Sequence, residues 1–156
     1  MSNFPSTSVI NRVGNAYLFS SQQINLLQPL ALLATRLYIG WVFFSSGLTK
    51  LRDWETTLFL FEEEYSVPFI NFEVAAWLGT IGELILPVLL VVGLTTRLGA
   101  LGLSLVNVVA VLSLEAIAPA AFTLHIVWGL LLAQIILWGP GGLSLDRWLQ
   151  TRLKNR

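Results

Sequence analysis

The sequence has no cysteine, a single methionine at position 1 and a single histidine, His125. Without thiols the chain forms no disulfide and ligates no iron–sulfur cluster, and one histidine excludes a bis-histidine haem or a histidine-rich copper site within a single chain. No metal site is expected. Charge is scarce too: Asp, Glu, Lys and Arg make up 12% of the 156 residues, against about 25% in soluble domains. Nine basic and nine acidic residues cancel, so a nucleic-acid partner is not expected. Residues 1–29 lack a basic segment followed by a continuous apolar core, so no signal peptide is expected there.

What the chain has in abundance is apolar surface, at 55% of residues and a mean hydropathy of +0.73. Such a composition reads as an integral membrane protein. Apolar runs over about 30–48, 74–94, 98–114 and 122–138 each approach the roughly 20 residues that cross a hydrocarbon core of about 30 Å. The expected fold is an all-α integral membrane protein, a four-transmembrane-helix bundle spanning 30–142. A polar N-terminal arm, 1–29, precedes it, read as mobile with one interfacial turn. A short amphipathic tail helix, with Ser144 as cap, is expected within 143–156.

Between the first two spans the pattern changes. Asp53 is placed to cap a helix, and Trp54, Leu58, Phe61 and Tyr65 recur at helical spacing while Glu62, Glu63 and Glu64 follow a polar arc. At about 13 residues this helix is too short to span; it should lie on the surface or over the bundle mouth, and Pro68 should stop it. Four spans put both termini on one side. That side would carry Arg12, Arg97, Arg147, Arg152, Lys154 and Arg156, and the opposite loops only Lys50 and Arg52. The excess of basic residues predicts cytoplasmic termini.

The residues that carry chemistry are the polar ones inside spans. Glu83 lies near the middle of the second, where a carboxylate is costly unless neutral, paired or wetted. Counting 1.5 Å per residue, Glu83 and His125 lie roughly 21 Å above the inner ends of their helices, Asn107 roughly 15 Å and Arg36 about 10 Å. These depths allow Glu83, His125, Asn107 and Arg36 to converge in the outer half, with Lys50 at the mouth and a pocket lined by Trp41, Phe44, Trp77 and Trp128. Structural roles compete with this reading. Glu83 is equally suited to pair with Arg36, or to bond Ser45, Thr80 or Asn107, merely to hold helices together. Arg36 is near enough to the inner boundary to reach lipid phosphates, His125 suits an interfacial position, and Asn107 suits interhelical bonding.

Arg36-Leu-x-x-Gly40, Gly47-Leu-x-Lys50-Leu, Gly82-Glu83, Gly93-Leu-x-Thr-Arg97 and Gly139-Pro-Gly-x-x-Ser144-Leu-Asp146 occur in this order. Together they resemble the DoxX family of small four-helix bacterial inner-membrane proteins, over roughly residues 30–150. The resemblance implies a four-helix bundle in the bacterial inner membrane, of a family often labelled quinol-oxidase-like or the membrane part of an oxidoreductase complex. Two functions follow as expectations. One is an accessory or redox-linked subunit that binds an apolar, quinone-like molecule near Glu83, with His125 in proton exchange and Arg36, Lys50, Asn107 and Trp128 as further candidates. The other is a non-catalytic scaffold that docks a partner of a stress or metal-handling system. A small transporter is the weaker third, since four spans leave little room for alternating access. Membrane lipids and a protein partner or second copy are the expected partners; no enzymatic activity is expected of this chain alone, and a quinone is the one cofactor class in view.

Overall fold

A computed structural model describes residues 7–67 and 69–154 of the chain. Pro68 and Arg156, for which roles were expected, lie outside them. Seven helices make up most of the described residues: α1 (Thr7–Asn25), α2 (Gln28–Arg52), α3 (Trp54–Glu63), α4 (Phe72–Val92), α5 (Thr96–Leu112), α6 (Pro119–Trp138) and α7 (Leu145–Lys154). Three stretches are long and apolar enough to cross a membrane: Asn11–Arg52, which takes in α2, then α4 and α6. The 17-residue α5 is apolar but shorter.

Helix α2 packs on α4 and α6, and α5 packs on α4 and α6, so these four close into a bundle. Its core is Ile39, Phe43, Leu90, Ala100, Leu103, Leu132 and Ile135. Outward-facing positions are just as apolar, among them Leu37, Trp41, Ile81, Ile85, Leu105 and Leu130, all exposed. A helix that is apolar all round while half its surface faces outward suits lipid rather than water. At one end of the bundle stand Arg97 and the basic helix α7; at the other, α3 and the Glu62–Glu64 run. We call these the basic and the acidic end.

Glycine sets how closely α2 and α4 approach. A side chain at Gly40 would collide with Val91, and one at Gly47 would place its Cβ 2.9 Å from Leu84 Cγ and 3.1 Å from Glu83 Cβ. Contact at two points a little under two turns apart makes this pair the most extensive in the bundle. Pro87 lies inside α4, and having no N–H it leaves the carbonyl of Glu83 without its intrahelical donor.

Local chemistry accounts for the smaller helices. The Asp53 carboxylate accepts the Thr56 amide at 3.0 Å and caps α3. Trp54, Leu58, Phe61 and Tyr65 turn inward to half-burial and Glu62 to Glu64 stay exposed, as the periodicity predicts. The Trp54 ring lies 4.3 Å from that of Trp77 on α4. The Ser144 hydroxyl accepts the Arg147 amide at 3.2 Å at the start of α7. The N-terminal arm departs from expectation: residues 7–25 form a 19-residue helix, α1, rather than a mobile arm with one turn. Its Val13, Tyr17 and Ile24 recur at helical spacing, but they are too few among Ser, Asn and Gln to make an apolar stripe.

Candidate functional site

The intramembrane carboxylate finds its partner at the acidic end of α2. Lys50 Nζ donates to Glu83 Oε2 at 2.6 Å and to Ser46 Oγ at 3.0 Å. Gly47, one turn before Lys50, lets the two helices meet beside this pair. A bond this short between a cation and a carboxylate is charge-assisted, roughly twice as strong as a neutral one. Yet the pair is not sealed: the side chains remain 21% and 10% exposed. Among the described residues nothing donates to Glu83 Oε1, while every fully buried side-chain nitrogen or oxygen has a partner. Oε1 therefore lies at the accessible edge of the pair, as a free acceptor beside a cationic donor.

Tyr65, just past α3, is a neighbour that helical periodicity placed only on a packing stripe. Burial first, then the charges of Glu64 and Glu83, push its phenol above the usual range, so it stays neutral. Its ring lies 4.9 Å from that of Phe61, which stands beside Gly79 on α4, while the backbone at Tyr65 and Ser66 pairs with Leu114 and Ser113 at the end of α5. The charge of Glu83 reaching this ring is the signal that identifies it, and that proximity follows from the chain's return over α4, which no local pattern records.

His125 and Asn107 form a second unit between α6 and α5. The Asn107 amide donates to the His125 carbonyl at 3.0 Å, and Asn107 Oδ1 lies 2.8 Å from His125 Nδ1. This geometry requires the tautomer with hydrogen on Nδ1. Trp128 stands edge-on to His125 at 4.9 Å and to Phe43 at 6.0 Å, and its indole N–H points at the Tyr38 hydroxyl at 3.3 Å. This unit joins two helices through every polar atom but Nε2.

Arg36 makes a third unit at the basic end. Its guanidinium, 1% exposed, donates to the carbonyls of Leu90 at 2.8 Å and Val91 at 2.7 Å, and to those of Pro140 at 2.9 Å and Leu143 at 2.8 Å. Leu90 and Val91 are among the last residues of α4, whose final carbonyls have no intrahelical donor. The cation thus caps a helix C-terminus, where its charge is also favoured by the dipole. Gly93, left-handed at φ 77°, leaves room for it: a Cβ there would collide with the guanidinium. Behind it, Asp146 accepts the amides of Thr95 and Thr96 and the Thr96 hydroxyl, each at 2.8 Å. That carboxylate holds Thr95 in a left-handed turn at φ 49°.

The predicted convergence is therefore corrected. The depths along the helices were sound, but side-chain direction divides the candidates: Glu83 takes Lys50, Asn107 takes His125, and Arg36 turns to the opposite end. Glu83 pairs with neither Arg36 nor Ser45, Thr80 or Asn107. The four aromatic residues do not line one pocket either. Trp41 points outward at 71% exposure, Trp77 covers Trp54, Phe44 is half-buried, and Trp128 stacks edge-on to His125. Two cavities open at the ends of the bundle, of about 660 Å³ at the basic end and about 290 Å³ beside Tyr65 and the acidic run. No group of three metal-ligating side chains occurs among the described residues.

The sequence motifs coalesce in these units. Gly47, Lys50 and Glu83 meet at one; Arg36, Gly93, Thr96, Pro140 and Asp146 meet at another. The DoxX family model matches residues 31–116, which contain Arg36, Lys50, Glu83, Gly93 and Asn107. An uncharacterized protein of Haemophilus influenzae is 33% identical over 129 aligned positions, which take in 74% of this chain and 81% of that protein. No solved structure matches the chain. On the family match and that shared length, the chain is a membrane protein of the DoxX family.

Proposed function

We propose that the protein is a four-span accessory subunit of the bacterial inner membrane whose Lys50–Glu83 pair holds the oxygen-bearing head of a quinone-like molecule. The free Oε1 beside a lysine ammonium carries this reading. A hydroxyl donates to Oε1 while the ammonium donates to a carbonyl, so one pair serves both the reduced and the oxidised form of such a head group. Glu83 is also the residue that takes up or releases the accompanying proton. Entry runs along the lipid-facing α2–α4 seam, not through the filled core. With no cysteine and one histidine, electrons would have to come from a partner protein, which makes the chain a subunit rather than an enzyme.

The topology belongs to the same reading. Helix α5, at 17 residues roughly 25 Å long, is at the short end of the spanning range. Counting it, both termini share a side, and the basic end faces the cytoplasm. Native mass spectrometry of protein extracted with its lipids tests the ligand. A quinone-mass adduct on the wild type, lost in Glu83→Gln and in Lys50→Met, supports the assignment; equal adducts on all three, or none on any, reject it.

One observation favours a second reading, a partner-docking scaffold. Helix α7 presents exposed Leu145, Trp148, Leu149 and Leu153 beside a basic face. Because the Leu143 carbonyl and Asp146 anchor the bundle, a clean test truncates beyond Trp148. Loss of a co-purifying partner with an unchanged melting temperature supports docking; retention of the partner rejects it.

A further inference from the structure

The cavity at the basic end lies outside the ligand reading above and has its own chemistry. It occupies about 660 Å³ between the start of α2, the start of α5, the end of α6 and α7. Arg97 and Arg147 both line it, with Gln28 and Gln150 as neutral polar neighbours and Asp146 as its single carboxylate. Asp146 is already engaged with the first amides of α5 and the Thr96 hydroxyl. It occupies that helix N-terminus, so what remains for a ligand is the two arginines.

Both arginines have donors to offer. Arg97 donates one long bond, 3.4 Å, to the Leu137 carbonyl, and it lies over Gly139, where a Cβ would stand 3.2 Å from its guanidinium. The Arg147 guanidinium has no hydrogen-bond partner among the described residues, where Lys50–Glu83 is the only ion pair. Behind them Arg36 adds a third cation bonded only to carbonyls. Arg36 is sealed and does not line the cavity, so the donors come from Arg97 and Arg147, two guanidiniums against one carboxylate, and their planar forks suit phosphate oxygens. The rim is apolar on the outward side, where Leu98 and Trp138 line the cavity and are 67% and 61% exposed. Tryptophan at that level marks the headgroup region.

We propose that this cavity binds a phosphate ester, with Arg97 and Arg147 as its clamp and Trp138 and Leu98 beside an acyl chain: the headgroup of an anionic phospholipid. The inference does not depend on what binds at Lys50–Glu83. The test uses purified full-length protein in detergent, titrated with phosphatidylglycerol, with phosphatidylcholine and with inorganic phosphate, read by native mass spectrometry and by melting temperature. Wild type should bind phosphatidylglycerol at least about tenfold tighter than phosphatidylcholine. Arg97→Gln with Arg147→Gln should abolish that preference, while Arg152→Gln with Lys154→Gln, on α7 but outside the cavity, should keep most of it. If the double variant is poorly folded, Arg97→Lys with Arg147→Lys keeps the charge and loses the fork, and should bind at intermediate strength. Displacement of the lipid by millimolar phosphate supports the same clamp with free phosphate as its source; no displacement supports the lipid. Equal binding of both lipids, or an undiminished preference in the folded Gln variant, overturns the proposal.

Discussion

Arg36 bonds the carbonyls of Leu90 and Val91 on α4, two turns beyond Glu83, so two opposite charges on facing helices are about 10–12 Å apart along the axis and do not pair. Each is satisfied differently, and the difference separates a structural group from an exchangeable one. Arg36 is sealed, with four of its five N–H donors bonded to carbonyls; Glu83 keeps one oxygen free of any donor among the described residues.

Removing the sealed cation should therefore damage the fold. Arg36→Ala leaves four carbonyls without their charged donor, at about 1–3 kcal/mol for each that water does not rescue. We expect a loss of about 3 kcal/mol, a drop in melting temperature of roughly 6–12 °C in detergent. Arg36→Lys, with three donors for four acceptors, should fall between. A melting temperature within 1 °C of wild type for Arg36→Ala would contradict the capping role.

Gly93 should be as sensitive from the other side. Gly93→Ala places a methyl against the Arg36 guanidinium and requires a left-handed backbone that alanine adopts at about 1–2 kcal/mol. Gly79→Ala is the control, because its Cβ meets only Phe61 at an ordinary 3.6 Å and helix propensity favours alanine by about 1 kcal/mol. Melting temperatures should fall for the first and hold or rise for the second; equal behaviour would reject the close packing at Gly93.

Acid should loosen the basic end. Burial alone raises the Asp146 carboxyl, but the amide and hydroxyl of Thr96, the amide of Thr95 and nearby Arg36 outweigh it and hold it below the usual range. A depressed carboxyl contributes stability that is present above its unfolded pKa of about 3.9 and lost as pH falls through the folded value. Wild type should thus lose stability below about pH 4. Asp146→Asn should be less stable at pH 7 and show a flatter pH dependence from about pH 5 to pH 3; superimposable curves would exclude Asp146 as the group responsible.

The Asn107–His125 clip should be modest and coupled. Asn107→Leu removes both bonds and His125→Leu removes only the ring bond, because the carbonyl at 125 belongs to the backbone; each bond is worth about 1 kcal/mol for an intramembrane polar contact. In a double-mutant cycle His125→Leu should add little once Asn107 is already Leu. Full additivity would mean that the two side chains act independently.

How much of this was legible beforehand follows from the length scale of each feature. Local patterns resolve well: the Asp53 and Ser144 caps, the stripe from Trp54 to Tyr65, and glycine or proline near most helix ends are visible within a few residues. Depth along a helix is also readable, because the rise per residue is fixed. Direction around the axis is not, since in an almost uniformly apolar helix such as α6 no polar face marks inside from outside. Hence sequence alone leaves the Lys50 partner of Glu83 at the mouth, and leaves open how far along α4 the long Arg36 side chain reaches: it does face α4, but two turns from Glu83. Backbone acceptors are invisible to residue type altogether, and so were the four carbonyls that hold Arg36.

The central claim is that the accessible Lys50–Glu83 pair, and not the His125–Asn107 clip, holds a quinone-like head group. The direct measurement is an equilibrium titration of purified protein with a short-tailed quinone, followed by quenching of tryptophan fluorescence, in wild type, Glu83→Gln, Lys50→Met and Asn107→Leu. Losing one charge-assisted bond should weaken binding by about tenfold or more in the first two variants and leave Asn107→Leu near wild type. Affinities unchanged in Glu83→Gln and Lys50→Met, with both variants folded, would contradict the claim.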